Sequence, residues 1–135
     1  MKTEQDLMRE MLSTSKTIAV VGISDKPDRS SYTVSDFMRA HYSIIPINPN
    51  LESVFGIRCF KTLTEVPPSI KIDIVNIFRR SDQVVPIVQE ALSRNVRYIW
   101  MQQGVINDEA KSLAEKAGVK VVMDACIAVA YSTLM

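Results

Sequence analysis

The chain has 135 residues, 47% of them hydrophobic and 23% charged, with a formal net charge of +1. That size fits one domain with one core, and the near-neutral charge leaves no electrostatic footprint for nucleic acid or an anionic membrane. Two cysteines (Cys59, Cys126) and a lone histidine (His41) exclude a disulfide framework, a cysteine zinc site and a histidine metal cluster. The start, Met1 to Asp6, is polar and carries acids, unlike a secretory signal. No apolar run approaches the roughly 20 residues that span a bilayer. The expected location is a reducing cytoplasm.

In chain order, Thr3 with Asp6 three residues on resembles a capping box. It predicts a helix over 3–14 with Leu7, Met8, Met11 and Leu12 on one face. Residues 1–15 therefore read as an N-terminal helical extension of a single domain over 1–135. Its apolar face either covers a sheet edge or meets another subunit, a second copy or a partner chain. Residues 18–23 form an unalternating apolar run, as a strand buried on both faces does. A polar loop follows, and a helix is expected over 33–40. A second strand over 43–47 stops at Asn48-Pro49-Asn50. Residues 55–60 read as a loop or an edge strand.

A third strand is predicted over 70–78. Ser81-Asp82 caps a helix over 83–93, with Pro86 near its first turn. A fourth strand covers 96–101. Asn107-Asp108-Glu109 opens another helix, its acids facing the positive end of the dipole, and Gly118 closes it. A fifth strand over 119–123 and a short C-terminal helix complete the chain. Strands alternating with helices of this length predict βαβ units, right-handed crossovers and a parallel sheet.

Open sheets of this kind bind ligands beyond the carboxyl ends of their strands, near the point where strand order reverses. The loops at 24–32, 48–50, 79–82, 102–104 and 124–126 are therefore the candidates. The first loop has one glycine, Gly22, where a dinucleotide fingerprint needs three. Asn48 stands where an NAD site uses an acid for the ribose hydroxyls. No Gly-Lys-Ser/Thr ending marks a P-loop. Lys26, Arg29, Ser30 and Ser31 remain, with a second cationic pair, Arg79-Arg80, after the third strand. Two cationic places on one rim suit a ligand with several phosphates; the bland alternative is solvated loop charge.

Other candidates carry less. His41 is read as capping carbonyls at a helix end. Cys126 is either a thiolate at a helix start or, as for most free cysteines, a packing residue. Trp100 and Met101 read as core. Gln102-Gln103-Gly104 is a polar break beside which a ligand can lie. Asp25, Asp28, Asp73 and Asp124 are scattered, and no nucleophile, base and acid can be argued to meet.

The stretch Val20 to Tyr32 resembles the small CoA-binding domain proteins, as do Ile45-Pro46-Ile47-Asn48-Pro49-Asn50, Phe78-Arg79-Arg80-Ser81-Asp82, Trp100 to Val105 and Val122 to Cys126. These are Rossmann-like domains similar to the N-terminal domain of the succinyl-CoA synthetase α subunit. The resemblance implies a three-layer α/β/α fold with a five-stranded parallel sheet that binds coenzyme A. By it, Gly22, Ser24, Lys26, Arg29, Ser30 and Tyr32 line the site around the phosphates. Asn48 and Pro49 lie beside the adenosine end, Phe78 and Arg79 on the neighbouring loop, and Gln103 near the diphosphate or pantetheine arm. The related proteins carry an arginine and a Glu-His pair in the last segment, where this chain has Ala125 and Ala128-Val129-Ala130. The synthetase's phosphohistidine lies in a further domain, so its ligase chemistry is not carried over. The expectation is a module that binds CoA or an acyl-CoA without catalysis of its own. The alternatives are a CoA-dependent acyl or thiol transferase using Cys126 or a partner subunit, a rim that holds nothing, and, on fold analogy alone, an NAD(P)-binding protein.

Overall fold

The computed structural model describes residues 2–135. The chain runs α1 (Glu4–Thr14), β1 (Thr17–Val21), α2 (Ser30–Met38), β2 (Ser43–Ile47), a small hairpin of β3 (Ser53–Val54) and β4 (Ile57–Arg58), and β5 (Ile74–Ile77). It continues through α3 (Val84–Ser93), β6 (Tyr98–Met101), α4 (Asp108–Lys116), β7 (Lys120–Val122) and α5 (Ile127–Leu134). Single 3-10 turns occur at Leu63–Glu65 and Ser81–Gln83.

The five long strands form one parallel sheet in the order β2-β1-β5-β6-β7. The unalternating strand sequences follow from burial on both faces. Along β1, Ala19 and Val21 enter a core with Val84, Val88 and Ala91 of α3 and Ala110 and Ala114 of α4. Ile18 and Val20 enter a second core with Met11 and Leu12 of α1, Met38 of α2 and Ile127 and Ala130 of α5. The result is a Rossmann-like fold of three layers with two helices on one face and three on the other. From β1 the chain steps outward to β2 and returns on the other side at β5, so strand order reverses between β1 and β5.

Local chemistry sets the element ends. The capping box forms as expected: the Asp6 N–H donates to Thr3 Oγ1 (3.1 Å) and the Thr3 N–H to Asp6 Oδ2 (2.9 Å). Asn107 caps α4 by accepting from the Ala110 N–H (2.9 Å). Pro86 falls in the first turn of α3, where no intrahelical N–H bond is lost. The face of α1 meets α5 and β7, covering a face of the sheet with Met11 and Leu12 buried.

Several boundaries depart from expectation; the first, fourth and fifth strands differ by one or two residues at one or both ends. The third strand is Ile74–Ile77 rather than 70–78. Buried Asp73 accepts from the Lys16 and Thr17 N–H groups (2.8 and 3.2 Å), so this residue anchors the strand instead of continuing a run of apolar packing. The helix expected over 33–40 begins three residues earlier and ends at Met38, because a helix start needs no apolar residue. Residues 81–83 form a 3-10 turn, and α3 proper starts at Val84. The stretch 55–60 contains both readings: a hairpin turning at Phe55 and Gly56, both at positive φ, and a parallel bridge from Phe60 to Ile47.

Candidate functional site

Gly22 ends the ladder of β1 at the reversal point. Its φ is +89°, and a Cβ there would collide with the Phe78 carbonyl oxygen and lie 2.8 Å from Arg79 Cδ. Glycine is needed because the loops after β1 and β5 touch here. A hollow of about 700 Å³ opens across this contact.

The loop after β1 is tied into shape by its own hydroxyls. The Ser24 N–H donates to Ser31 Oγ (3.0 Å), and the Lys26 N–H donates to Ser24 Oγ (3.0 Å). Asn48 fastens the neighbouring loop: Nδ2 donates to the Ile23 carbonyl (2.7 Å) and Oδ1 accepts from the Asn50 N–H (2.8 Å). An amide used in this way is a poor reader of ribose hydroxyls, which counts against a dinucleotide site. Then α2 begins at Ser30 with no side-chain cap on its first turn. Its N-terminus, the positive end of its dipole, therefore lies at the hollow that Ser30 and Ser31 line.

Of the residues expected to form the site, Gly22, Ser24, Arg29, Ser30, Phe78, Arg79 and Gln103 line the main hollow. Lys26 and Asn48 line a recess of about 300 Å³ that shares Gly22, Ser24, Arg29, Phe78 and Arg79 with it. Pro49 lies in a third hollow, of about 210 Å³, with Lys61, Thr62 and Arg79. Tyr32 lines none of the three; its ring packs on Phe55 at 4.7 Å. The hollow is also lined by Ser31, Arg80, Gln102 and Cys126, which the sequence offered as loop candidates without the resemblance assigning them to the site, and by Gln83, Val34 and Val105, which sequence reasoning left out. Arg80, Ser31, Gln102 and Cys126 adjoin candidate positions, but only geometry shows which neighbours turn inward. Val34 carries no signal beyond helix periodicity.

The main hollow has three arginines, Arg29, Arg79 and Arg80, and no carboxylate among its lining residues. Arg80 pairs with Asp82 at 3.3 Å on the exposed side. Among the described residues no acid lies within ion-pair distance of Arg29 or Arg79. Among the described residues, Arg29 and Arg79 thus carry charge that no ion pair neutralises.

Two expectations are corrected. His41 does not cap carbonyls with its ring; it stacks on Tyr131 at 4.3 Å, because α2 ends at Met38 and leaves His41 beside α5. Cys126 is half-buried on the wall of the hollow at the start of α5, not packed in the core. The buried thiol is Cys59, whose pKa is pushed up by burial and, less, by Asp25. Trp100 is core, fully buried, and its Nε1 donates to the Ala125 carbonyl (2.9 Å). Two of the scattered aspartates do structural work: Asp73 anchors β5, and Asp124 accepts from the Gly104 N–H (2.8 Å). No group of acids, histidines and cysteines among the described residues is placed to hold a metal.

Residues 16–132 match the sequence model of the CoA binding domain. The chain belongs to the CoA-binding domain family. Within this family's reach, it is 44% identical over 93% of its length to the uncharacterized protein YneT of Bacillus subtilis, covering 92% of that protein. It is 20% identical over 93% of its length to an ADP-forming acetate–CoA ligase of Methanocaldococcus jannaschii, of which it spans 19%. A hypothetical protein from Pyrococcus horikoshii superimposes with a TM-score of 0.92 at 30% identity, over 96% of this chain and 91% of that one. The family match spans all five strands of the sheet and the loops on its rim.

Proposed function

We propose that the protein is a single CoA-binding domain with a helical extension at residues 1–15, and that it binds coenzyme A or an acyl-CoA in the hollow across the β1–β5 reversal. The observation that carries this reading is the pair Arg29 and Arg79, facing each other's loops across Gly22 without a carboxylate partner. Phosphates on a flexible ligand satisfy both through charge-assisted bonds, and the α2 N-terminus adds N–H donors. Ser24, Ser30 and Gln103 complete the polar wall; Lys26, Asn48 and Pro49 border the adenosine end; Phe78 walls the seam. Tyr32 acts indirectly, by packing the β3–β4 hairpin against α2.

The protein acts here as a carrier or sensor of a small-molecule ligand, without chemistry of its own, and its two free thiols fit a reducing cytoplasm. No helix among the described residues is long and apolar enough to cross a membrane. The transferase alternative has one supporting observation, the place of Cys126 on the wall. Fast alkylation of Cys126 at neutral pH, suppressed by CoA, would favour it.

Thermal melting with CoA, NAD, NADP and ATP in turn tests the binding reading. CoA is expected to raise the melting temperature with concentration as mass action requires. A rise with NAD alone, or no rise with any of them in protein shown by mass spectrometry to be ligand-free, would overturn it.

A further inference from the structure

The hydrogen bonds on the rim divide it into two laced halves. One half is the β1 and β2 loops, joined by Asn48 to the Ile23 carbonyl. The other half is the loops after β5, β6 and β7. Ser81 is its hub. The Ile106 N–H donates to Ser81 Oγ (2.9 Å), Asn107 Nδ2 donates to the Ser81 carbonyl (2.8 Å), and Ser81 Oγ lies 3.5 Å from the Gly104 carbonyl. From there Asp124, held at a φ of +59°, accepts from the Gly104 N–H (2.8 Å). Asn107 is also the cap of α4. The two halves meet at the close approach of Gly22 to Phe78.

We propose that Ser81 is a positioning residue: its hydroxyl holds the Gln103 loop against the Arg79-Arg80 turn, so that the second half-rim meets the ligand as one unit. This rests on the CoA-binding reading. Ser81 does not itself line the hollow, whereas Arg79 and Arg80 before it and Gln103 across from it do. A loop held from one side only pays more conformational entropy when a ligand orders it. The hydroxyl removes that cost in advance because it accepts an N–H that otherwise has no fixed partner.

Calorimetric titration of CoA into wild type, S81A, S81T, Q103A and the S81A/Q103A double variant tests this. S81A is expected to bind about fivefold to tenfold more weakly, the size of one hydrogen bond. S81T, which keeps the hydroxyl, is expected to restore affinity. The double variant should lose no more than the weaker-binding of its two parents, since Ser81 acts through the Gln103 loop. Wild-type affinity in S81A, no rescue by S81T, or losses that multiply in the double variant would overturn the proposal. A lower melting temperature in S81A with unchanged affinity would mark a purely structural tie and overturn it too. Failure of the wild type to bind CoA would instead remove the reading beneath it, and with it the proposal.

Discussion

At the residue scale, Gly22 is the position with least freedom to change. Its positive φ alone makes alanine cost about 1 to 3 kcal/mol, and the collision with the Phe78 carbonyl requires the β1 or β5 loop to move as well. Gly22→Ala is therefore expected to lower the unfolding free energy from urea denaturation by at least that amount, seen as a lower midpoint, and to weaken CoA binding, since both loops carry the arginines proposed to hold the phosphates. An unchanged midpoint would mean that the seam between the loops is looser than the geometry indicates. Gly22, Arg29 and Arg79 are singled out in the sequence by a glycine at a strand end, loop cations and the family resemblance together; the loop cations alone fit a solvated surface equally well. The inward turn of Cys126 is not legible. It depends on α5 beginning at Ile127, whose N–H donates to Gln102 Oε1 (3.3 Å), a contact between residues far apart in sequence.

At the element scale, α1 is legible from its capping box and apolar face, but its target is not, since periodicity shows that a face is buried and not against what. In the structure Met11 is wholly buried in the core shared with α5. Met11→Ala is expected to cost about 2 to 5 kcal/mol in chemical denaturation; a loss under about 1 kcal/mol would mean the helix is dispensable. The same helix makes a charged tie at the opposite end of the sheet from the ligand rim. Glu10 meets Lys120 Nζ at 2.8 Å and also Lys2. Hydrogen bonds from Lys120 and then Lys2 hold its pKa at about 2, below the ordinary 4.5. A depressed acid stabilises the fold fully above its unfolded pKa and loses that contribution as pH falls towards the folded value. Stability of the wild type should therefore decline between about pH 5 and 2 more steeply than that of Glu10→Gln, measured as denaturant midpoint against pH. Parallel curves would show that the tie contributes nothing. The start of β5 is the boundary that sequence hides: Ile70 and Ile72 extend its apolar run, while Asp73 between them and the strand is a long-range anchor to β1.

At the scale of the whole molecule, a net charge of +1 conceals an uneven distribution. Carboxylates are used in the α1 tie and beneath β1, while the main hollow of the ligand rim is lined by three arginines and no acid. The alternation of strands and helices makes a parallel sheet foreseeable, but not its strand order. The reversal between β1 and β5 then brings the loops of two distant segments, residues 22–31 and 78–83, to one hollow. Composition alone cannot show this, because the net charge averages over both ends of the sheet. The most direct measurement is the calorimetric affinity for CoA of the wild type, Arg29→Ala and Arg79→Ala. Each variant is expected to lose about 1.5 to 3 kcal/mol of binding, roughly tenfold to 150-fold, as the loss of a charge-assisted contact requires, with unfolding free energy within about 0.5 kcal/mol of the wild type. Equal affinity in all three proteins, or no binding by the wild type, would contradict the account.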